Sequence, residues 1–283
     1  MYSSLRSKNL SVYYFLQVLL YTTLIFGALI MLIPFAWMLS ASFKAQKDVF
    51  NFPIEWIPSE VHFENYKTIW TKIPLVRYFS NTVKLTAIIT AIQLLTSSFA
   101  AYAFAKLEFK GRNQLFLLYI MTIAIPWQVY MVPQYIMMSK FGLTNTHLGL
   151  ILMHTFTAFG VFLIRQFYMG IPNDLLEAAR IDGLSEYGIW QKIMLPLSKP
   201  ALATLCITSF VNEWNDFMGP LIYLSDDKLK TLQLGLRLFI GQFSSDYQFI
   251  MAASIISLIP VFIMFVSVQK YFVEGVATTG MKG

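Results

Sequence analysis

Charge is scarce in this sequence. Only 13% of its 283 residues are Asp, Glu, Lys or Arg, against about 25% in soluble domains. With 57% of the residues hydrophobic, a soluble fold would leave a large apolar surface in water, and such surfaces aggregate. Lipid is the solvent this composition fits. Cysteine is scarcer still. The single Cys206 excludes an internal disulfide framework and a cysteine-rich metal site, and its apolar neighbours suit an inert packed thiol. There is no Lys/Arg block or basic helix despite a net charge of +6, so nothing points to nucleic acid. A Gly-x-Ser-x-Gly elbow and an H-E-x-x-H zinc motif are both missing, which argues against an intramembrane hydrolase. His147 and His154 stand seven apart without a carboxylate nearby in sequence. They are expected to be structural, and no metal and no catalytic residue is expected. A phosphate-binding loop is also lacking. Gly275 and Gly280 have its glycine spacing, but Met281 intervenes before Lys282 and no Ser or Thr follows. The motif needs Gly-Lys-Ser/Thr opening a helix, so this chain is expected to bind no nucleotide.

What is present is a set of long charge-free runs. A spanning helix needs about 20 mostly apolar residues, each rising about 1.5 Å across a hydrocarbon core of about 30 Å. Charge gaps place spans at about residues 16–40, 85–105, 115–139, 147–164 and 247–269. A sixth, 201–224, is apolar apart from Glu213 and Asp216. The first run outlasts a signal-peptide core of about 7–15 residues and reads as a retained span. The expectation is an all-α polytopic membrane protein of six helices. Residues 1–15 form a short tail and 16–283 one membrane domain. Six spans put both termini on one side. The full Lys/Arg tally divides almost evenly between the two faces. The tight loop with Lys106, Lys110 and Arg112 favours cytoplasmic termini, because short loops obey the positive-inside rule best.

Two spans carry polar features. Pro126 and Pro133 fall inside the third, with Gln128 and Gln134 beside them. A kinked packing helix and a bend lining a polar passage both fit, since neighbours can re-satisfy the freed backbone groups. In the fifth, Glu213 and Asp216 are three apart and share a helix face, with Asn212, Trp214 and Asn215 adjacent. Intramembrane carboxylates are expensive and face a cavity or a partner. The cluster can line a sugar passage, where polar groups and a flat ring hold a saccharide. Equally, its members can satisfy one another or a partner and never touch substrate.

The loop at residues 172–200 reads PNDLLEAARIDGLSEYGIWQKIMLPLSKP. Asp174 and Glu177 have capping-box spacing, helix formers follow, and Gly183 suits a helix stop at positive φ. Ser185 can cap a second helix, on which Tyr187, Trp190, Ile193 and Met194 share a face. A helix lying on the bilayer is one reading. Its polar face would then be rich in Lys and Arg, whereas Glu177, Arg180, Asp182, Glu186 and Lys192 have mixed sign. Small Ala178 and Ala179 beside Glu177 suit close docking onto a protein partner.

The series Glu177-Ala178-Ala179, Asp182-Gly183, Ile193, Leu195-Pro196-Leu197 and Pro200 resembles the EAA loop of ATP-binding-cassette (ABC) importer permeases. The likeness extends along almost the whole chain, in order. Ser42-Phe43-Lys44 after the first span, Trp214-Asn215-Asp216-Phe217 with Pro220-Leu221 and Leu232 to Leu236, and Tyr271-Phe272-Val273-Glu274-Gly275 with the terminal Lys282-Gly283 resemble maltose-type sugar permeases. The match is closest to the smaller, six-span subunit of the pair. The resemblance implies a type I importer permease in the bacterial plasma membrane. It implies that Glu177, Ala178, Ala179, Asp182 and Gly183 form a cytoplasmic coupling helix and its turn, with Leu195 and Pro196 fixing the exit. It implies a second permease, two ATPase subunits that hold the ATP and Mg, and an extracytoplasmic solute-binding protein. The expected function is uptake of a sugar or oligosaccharide by alternating access. A non-sugar solute, or a solitary secondary transporter using the span-five carboxylates, is the alternative. Six spans without an inverted repeat fit the common secondary-transporter plans poorly.

Overall fold

The structure, a computed structural model, describes residues 10–240 and 246–280. Residues 1–9 of the expected tail, 241–245, and the Lys282-Gly283 end of the resemblance lie outside the described residues. No strand occurs among the described residues. The chain divides into two compact units, residues 1–72 with 239–256, and residues 73–238 with 257–283.

The first unit contains α1 (Leu10–Ser42) and α2 (Glu64–Lys72). α1 is apolar on every side and presents most of its large side chains outward, as a helix solvated by lipid does. It has 33 residues, more than the expected 16–40. Charge gaps locate the apolar stretch, while the helical hydrogen bonds continue past it. The loop after α1 is tied down by Asn65, whose Nδ2 donates to the carbonyls of Ser42 and Lys44, both at 2.9 Å. Lys72 pairs with Asp246 and lies 4.6 Å over the Phe249 ring.

The second unit is built on α3 (Leu75–Lys106), which starts ten residues before the expected 85–105 span. α4 (Arg112–Met121) and α5 (Trp127–Lys140) follow, then α6 (His147–His154) and α7 (Ala158–Met169). α8 (Asp174–Ile181) and α9 (Glu186–Leu197) form the loop. α10 (Lys199–Trp214), α11 (Met218–Tyr223) and α12 (Leu232–Arg237) come next. The last helix, α13 (Tyr247–Gly280), runs on past the expected 269.

Three expected spans are interrupted. α1, α3 and α13 are long and apolar enough to cross a membrane as single helices, and the bent pairs α4–α5, α6–α7 and α9–α10 bring the crossings to as many as six by length and composition. The expected 115–139 helix breaks at Pro126, with a 100° bend between α4 and α5. Pro126 has no N–H and pushes the residue before it out of the α region. Ile125 accordingly has φ −92° and ψ 108°. The expected 147–164 helix bends by 41° between α6 and α7. There extended Thr157 caps α7, its Oγ1 accepting from the Gly160 N–H at 3.3 Å. The expected 201–224 helix stops at Trp214 and restarts at Met218, because Asp216 Oδ1 accepts from the Gly219 N–H at 3.1 Å and begins α11 anew.

α3 packs against α7 and α10. Its inner face is a polar stripe of Thr82, Thr86, Thr90, Gln93 and Ser97, all buried. Gly160 marks a close crossing of these three helices. A Cβ there would lie 2.5 Å from Ser97 Oγ, 2.6 Å from Thr157 Cγ2 and 3.0 Å from Leu205 Cδ1.

Candidate functional site

The loop forms the first half of the site. α8 ends in two bonds that define a Schellman turn: the Leu184 N–H donates to Ala179 O and the Gly183 N–H to Arg180 O, both at 3.0 Å. Gly183 has φ +81°, where a side chain is strained. Ser185 Oγ accepts from the Gly188 N–H at 3.2 Å and caps α9. The expected capping box at Asp174 is displaced. Asn173 precedes the helix without a side-chain cap bond, because its Oδ1 accepts from Lys106 Nζ at 2.7 Å. The same ammonium donates to Ile171 O at 2.6 Å, so the end of α3 holds the start of α8.

The loop's inner face belongs to a hydrophobic core. Leu176, Ala179, Ile189, Trp190 and Met194 are buried with Ala101 and Tyr102 of α3, Ile164 and Tyr168 of α7, and Leu205 of α10. This corrects one expectation. Ala179 faces the chain's own core, so only Ala178 of the two alanines faces outward. Tyr187 stays on one face with Trp190, their ring centroids 5.4 Å apart and Phe99 of α3 at 6.1 Å, but it sits at the exposed edge of that face, and Ile189 joins the buried set. A π-helical turn spans Trp190–Met194, a local widening that straight-helix spacing does not anticipate. Leu195 is half-buried and Pro196 exposed before the 80° bend into α10. Glu177 and Asp182 are exposed. Beside them Ile181 is 87% exposed, a bulky apolar group that the resemblance to an EAA motif did not single out.

Glu186 joins three elements. Its Oε1 accepts from Arg180 Nε at 2.8 Å, and its Oε2 accepts from the Tyr102 hydroxyl at 2.5 Å. The Arg180 guanidinium, with the Tyr102 hydroxyl, holds the Glu186 carboxyl below the usual carboxylate range.

The second half of the site is a cavity of about 960 Å³ within the second unit. The breaks at Pro126, Thr157 and Asp216 all open onto it. Trp127, Tyr130 and Gln134 of α5 line it, with Phe156, Phe159, Thr208, Asn212, Glu213 and Asp216. On one wall His154 Nδ1 lies 2.6 Å from Glu213 Oε2, and His154 Nε2 lies 3.8 Å from Asp216 Oδ2. Gln93 Nε2 donates to Glu213 Oε1 at 3.1 Å and to His154 O at 2.7 Å. Gln134 Oε1 accepts from Trp127 Nε1 at 2.8 Å.

The structure therefore sorts the sequence-derived residues. Asn212, Glu213, Asp216 and Gln134 line the cavity. Gln128 is exposed elsewhere on α5 and does not line it. Trp214 is core: it is buried, stacks on Phe210 at 5.7 Å, and donates from Nε1 to Ser257 O at 3.1 Å. Asn215 closes the end of α10 by donating to Val211 O at 2.8 Å. It is exposed and is not among the residues that line the cavity. His154 is the main omission. His147 is structural, within 2.9 Å of Leu229 O, but His154 meets two carboxylates 59 and 62 residues away, which no local spacing reveals. Among the described residues no group of three His, Cys, Asp or Glu could hold a metal ion.

A family model described as a binding-protein-dependent transport system inner membrane component matches residues 93–278. That stretch contains both the loop and the cavity wall. The arabinooligosaccharides transport system permease protein AraQ of Halalkalibacterium halodurans is 37% identical over 261 residues, covering 91% of this chain and 94% of that protein. The melibiose/raffinose/stachyose import permease protein MelC of Bacillus subtilis is 35% identical over 255 residues, covering 89% and 91%. One chain in the crystal structure of a bacterial ABC transporter involved in import of the acidic polysaccharide alginate matches with TM-score 0.79 and 25% identity, over 92% of this chain and 97% of that one. This chain thus belongs to the binding-protein-dependent transport system inner membrane components, as a multi-pass membrane permease subunit with the type I ABC importer fold.

Proposed function

We propose that this chain is one of two permease subunits through which an ABC importer moves a sugar or oligosaccharide into a bacterial cell. The outer edge of α8 carries the reading. Glu177, Ala178, Ile181 and Asp182 face outward, while the opposite edge is rooted in the core of α3, α7 and α10. An element exposed on one side and continuous with the membrane helices on the other suits a docking surface that transmits motion. Its partner is an ATPase subunit, two of which supply the ATP and Mg chemistry. Gly183 permits the reversal into α9, and Leu195-Pro196 set the exit into α10. The loop and both termini lie in the cytoplasm, at the inner membrane. A second permease of different sequence completes the passage, and an extracytoplasmic binding protein delivers the solute. Likeness to AraQ and MelC supports a saccharide. The cavity wall with Asn212, Glu213, Asp216 and Gln134 forms this subunit's share of the passage. Closure of the ATPase dimer biases one conformational equilibrium of the helices.

The test is gentle-detergent purification of the chain from its native membrane, with mass spectrometry of the co-purifying subunits. A second permease and an ATPase are expected. The ATPase should be lost, and uptake should fall, when Glu177→Ala and Gly183→Val are introduced. Recovery of the chain alone, even after crosslinking at the loop, would overturn the proposal.

A further inference from the structure

Family membership leaves the charge of the solute open, since the relative of known structure serves an acidic polysaccharide. The cavity wall is more specific. Among the described residues that line it there is no lysine or arginine. It does carry two carboxylates. Glu213 is held by Gln93 and His154. Asp216 has one oxygen on the Gly219 N–H and the other 3.8 Å from His154 Nε2. With both carboxylates ionised the wall is net negative, whether or not His154 holds a proton. The remaining surface suits a neutral saccharide. Trp127 and Tyr130 offer flat faces, and Asn212 offers a donor and an acceptor. Pockets of this kind combine aromatic walls with a few placed polar groups.

We infer that the half-passage built by this chain discriminates against anionic solutes and is fitted to uncharged oligosaccharides. The inference rests on the reading of the cavity as the passage. A solute carboxylate about 6 Å from Asp216, in a partly hydrated space of effective dielectric about 40, is disfavoured roughly tenfold. Acidic and phosphorylated sugars are thereby slowed inside the membrane, even when a binding protein delivers them.

The probe is a pair of small thiol reagents of opposite charge, a trimethylammonium-ethyl and a sulfonato-ethyl methanethiosulfonate. They are applied to the assembled importer in membrane vesicles. In a Cys206→Ser background, a thiol is introduced at Asn212→Cys and, separately, at Ala158→Cys. Each labelling rate is divided by the reagent's rate with a free thiol in solution. The cationic reagent is expected to be favoured about tenfold or more, and the preference should collapse when Glu213→Gln and Asp216→Asn are added. The same pair of changes should raise uptake of a uronate-bearing oligosaccharide relative to its neutral parent. A normalised preference near one, or one that survives loss of both carboxylates, would overturn the charge inference. Complete labelling at both positions that leaves uptake intact would instead remove the reading of the cavity as the passage. The two failures are therefore distinguishable.

Discussion

Replacing Glu186 by alanine should loosen the loop on α3, and the geometry sets the size of the effect. The Arg180 pair is half-exposed, with side chains 41% and 45% accessible, so its loss costs at most about 1 kcal/mol. Tyr102 is only 3% exposed. Without the carboxylate its hydroxyl is a buried donor lacking an acceptor, which costs about 1–3 kcal/mol. Together the loss is about 2 kcal/mol. Tyr102→Phe removes the stranded group along with the bond and should cost about 1 kcal/mol or less. A double-mutant cycle on the detergent-solubilised complex, read by thermal or denaturant unfolding, isolates the pair. Glu186→Ala should cost about 1 kcal/mol less in the Tyr102→Phe background than in the wild type. Equal costs in the two backgrounds would refute the argument, because the hydroxyl would then not depend on Glu186. The Glu186→Ala importer should also hydrolyse more ATP per solute moved, since one of the ties between the loop and the end of α3 would be lost.

Acid should weaken the same tie. The Glu186 pKa is depressed in the folded state, so its contribution is complete above the ordinary glutamate value of about 4.3 and is lost as pH falls through the lower folded value; Glu186→Gln should flatten that part of the melting-temperature profile. Gly160→Val places atoms within 3.0 Å of three neighbours and should cost about 1–3 kcal/mol or more by overpacking, seen as a lower unfolding midpoint. Ile181→Asp should leave the unfolding midpoint unchanged, because the side chain is already in solvent. It should nevertheless weaken ATPase capture about thirtyfold, as expected for losing one buried isoleucine worth about 2 kcal/mol; retained capture in a pull-down would remove Ile181 from the docking surface.

The scarcity of charge located the apolar runs, because a charged side chain in hydrocarbon is expensive wherever it lies. It did not locate helix ends. α3 continues back to Leu75 through Arg77 and Lys84, since a helix does not require apolar residues once it leaves the lipid. Local chemistry was legible where one residue decides the outcome, as at Gly183 with its positive φ and Ser185 at its cap. It failed where distant groups compete. Lys106 takes the oxygen of Asn173, and Ala179 is drawn into the core with Ala101 and Tyr102 of α3. The paired carboxylates Glu213 and Asp216 were visible as an anomaly within an apolar span. Their partner His154 was not, because the breaks at Thr157 and Asp216 create the meeting point. The sole clue was a histidine in the middle of a charge-free run.

The Schellman turn, the Glu186 hub and the Lys106 clasp together define what can be exchanged between permeases. A chimera that swaps residues 172–200 alone would import a loop whose inner face was shaped for another host. It would meet foreign side chains at Ala101, Tyr102 and Lys106. The exchangeable unit is the loop together with the last two turns of α3 and the facing residues of α7 and α10, discontinuous in sequence but contiguous in space. Within that unit Leu175, Ala178 and Ile181 face outward and can be exchanged without disturbing the core, while Leu176, Ala179 and Met194 are tied to the membrane helices. One short helix thus answers to two separate packing demands, one on each face.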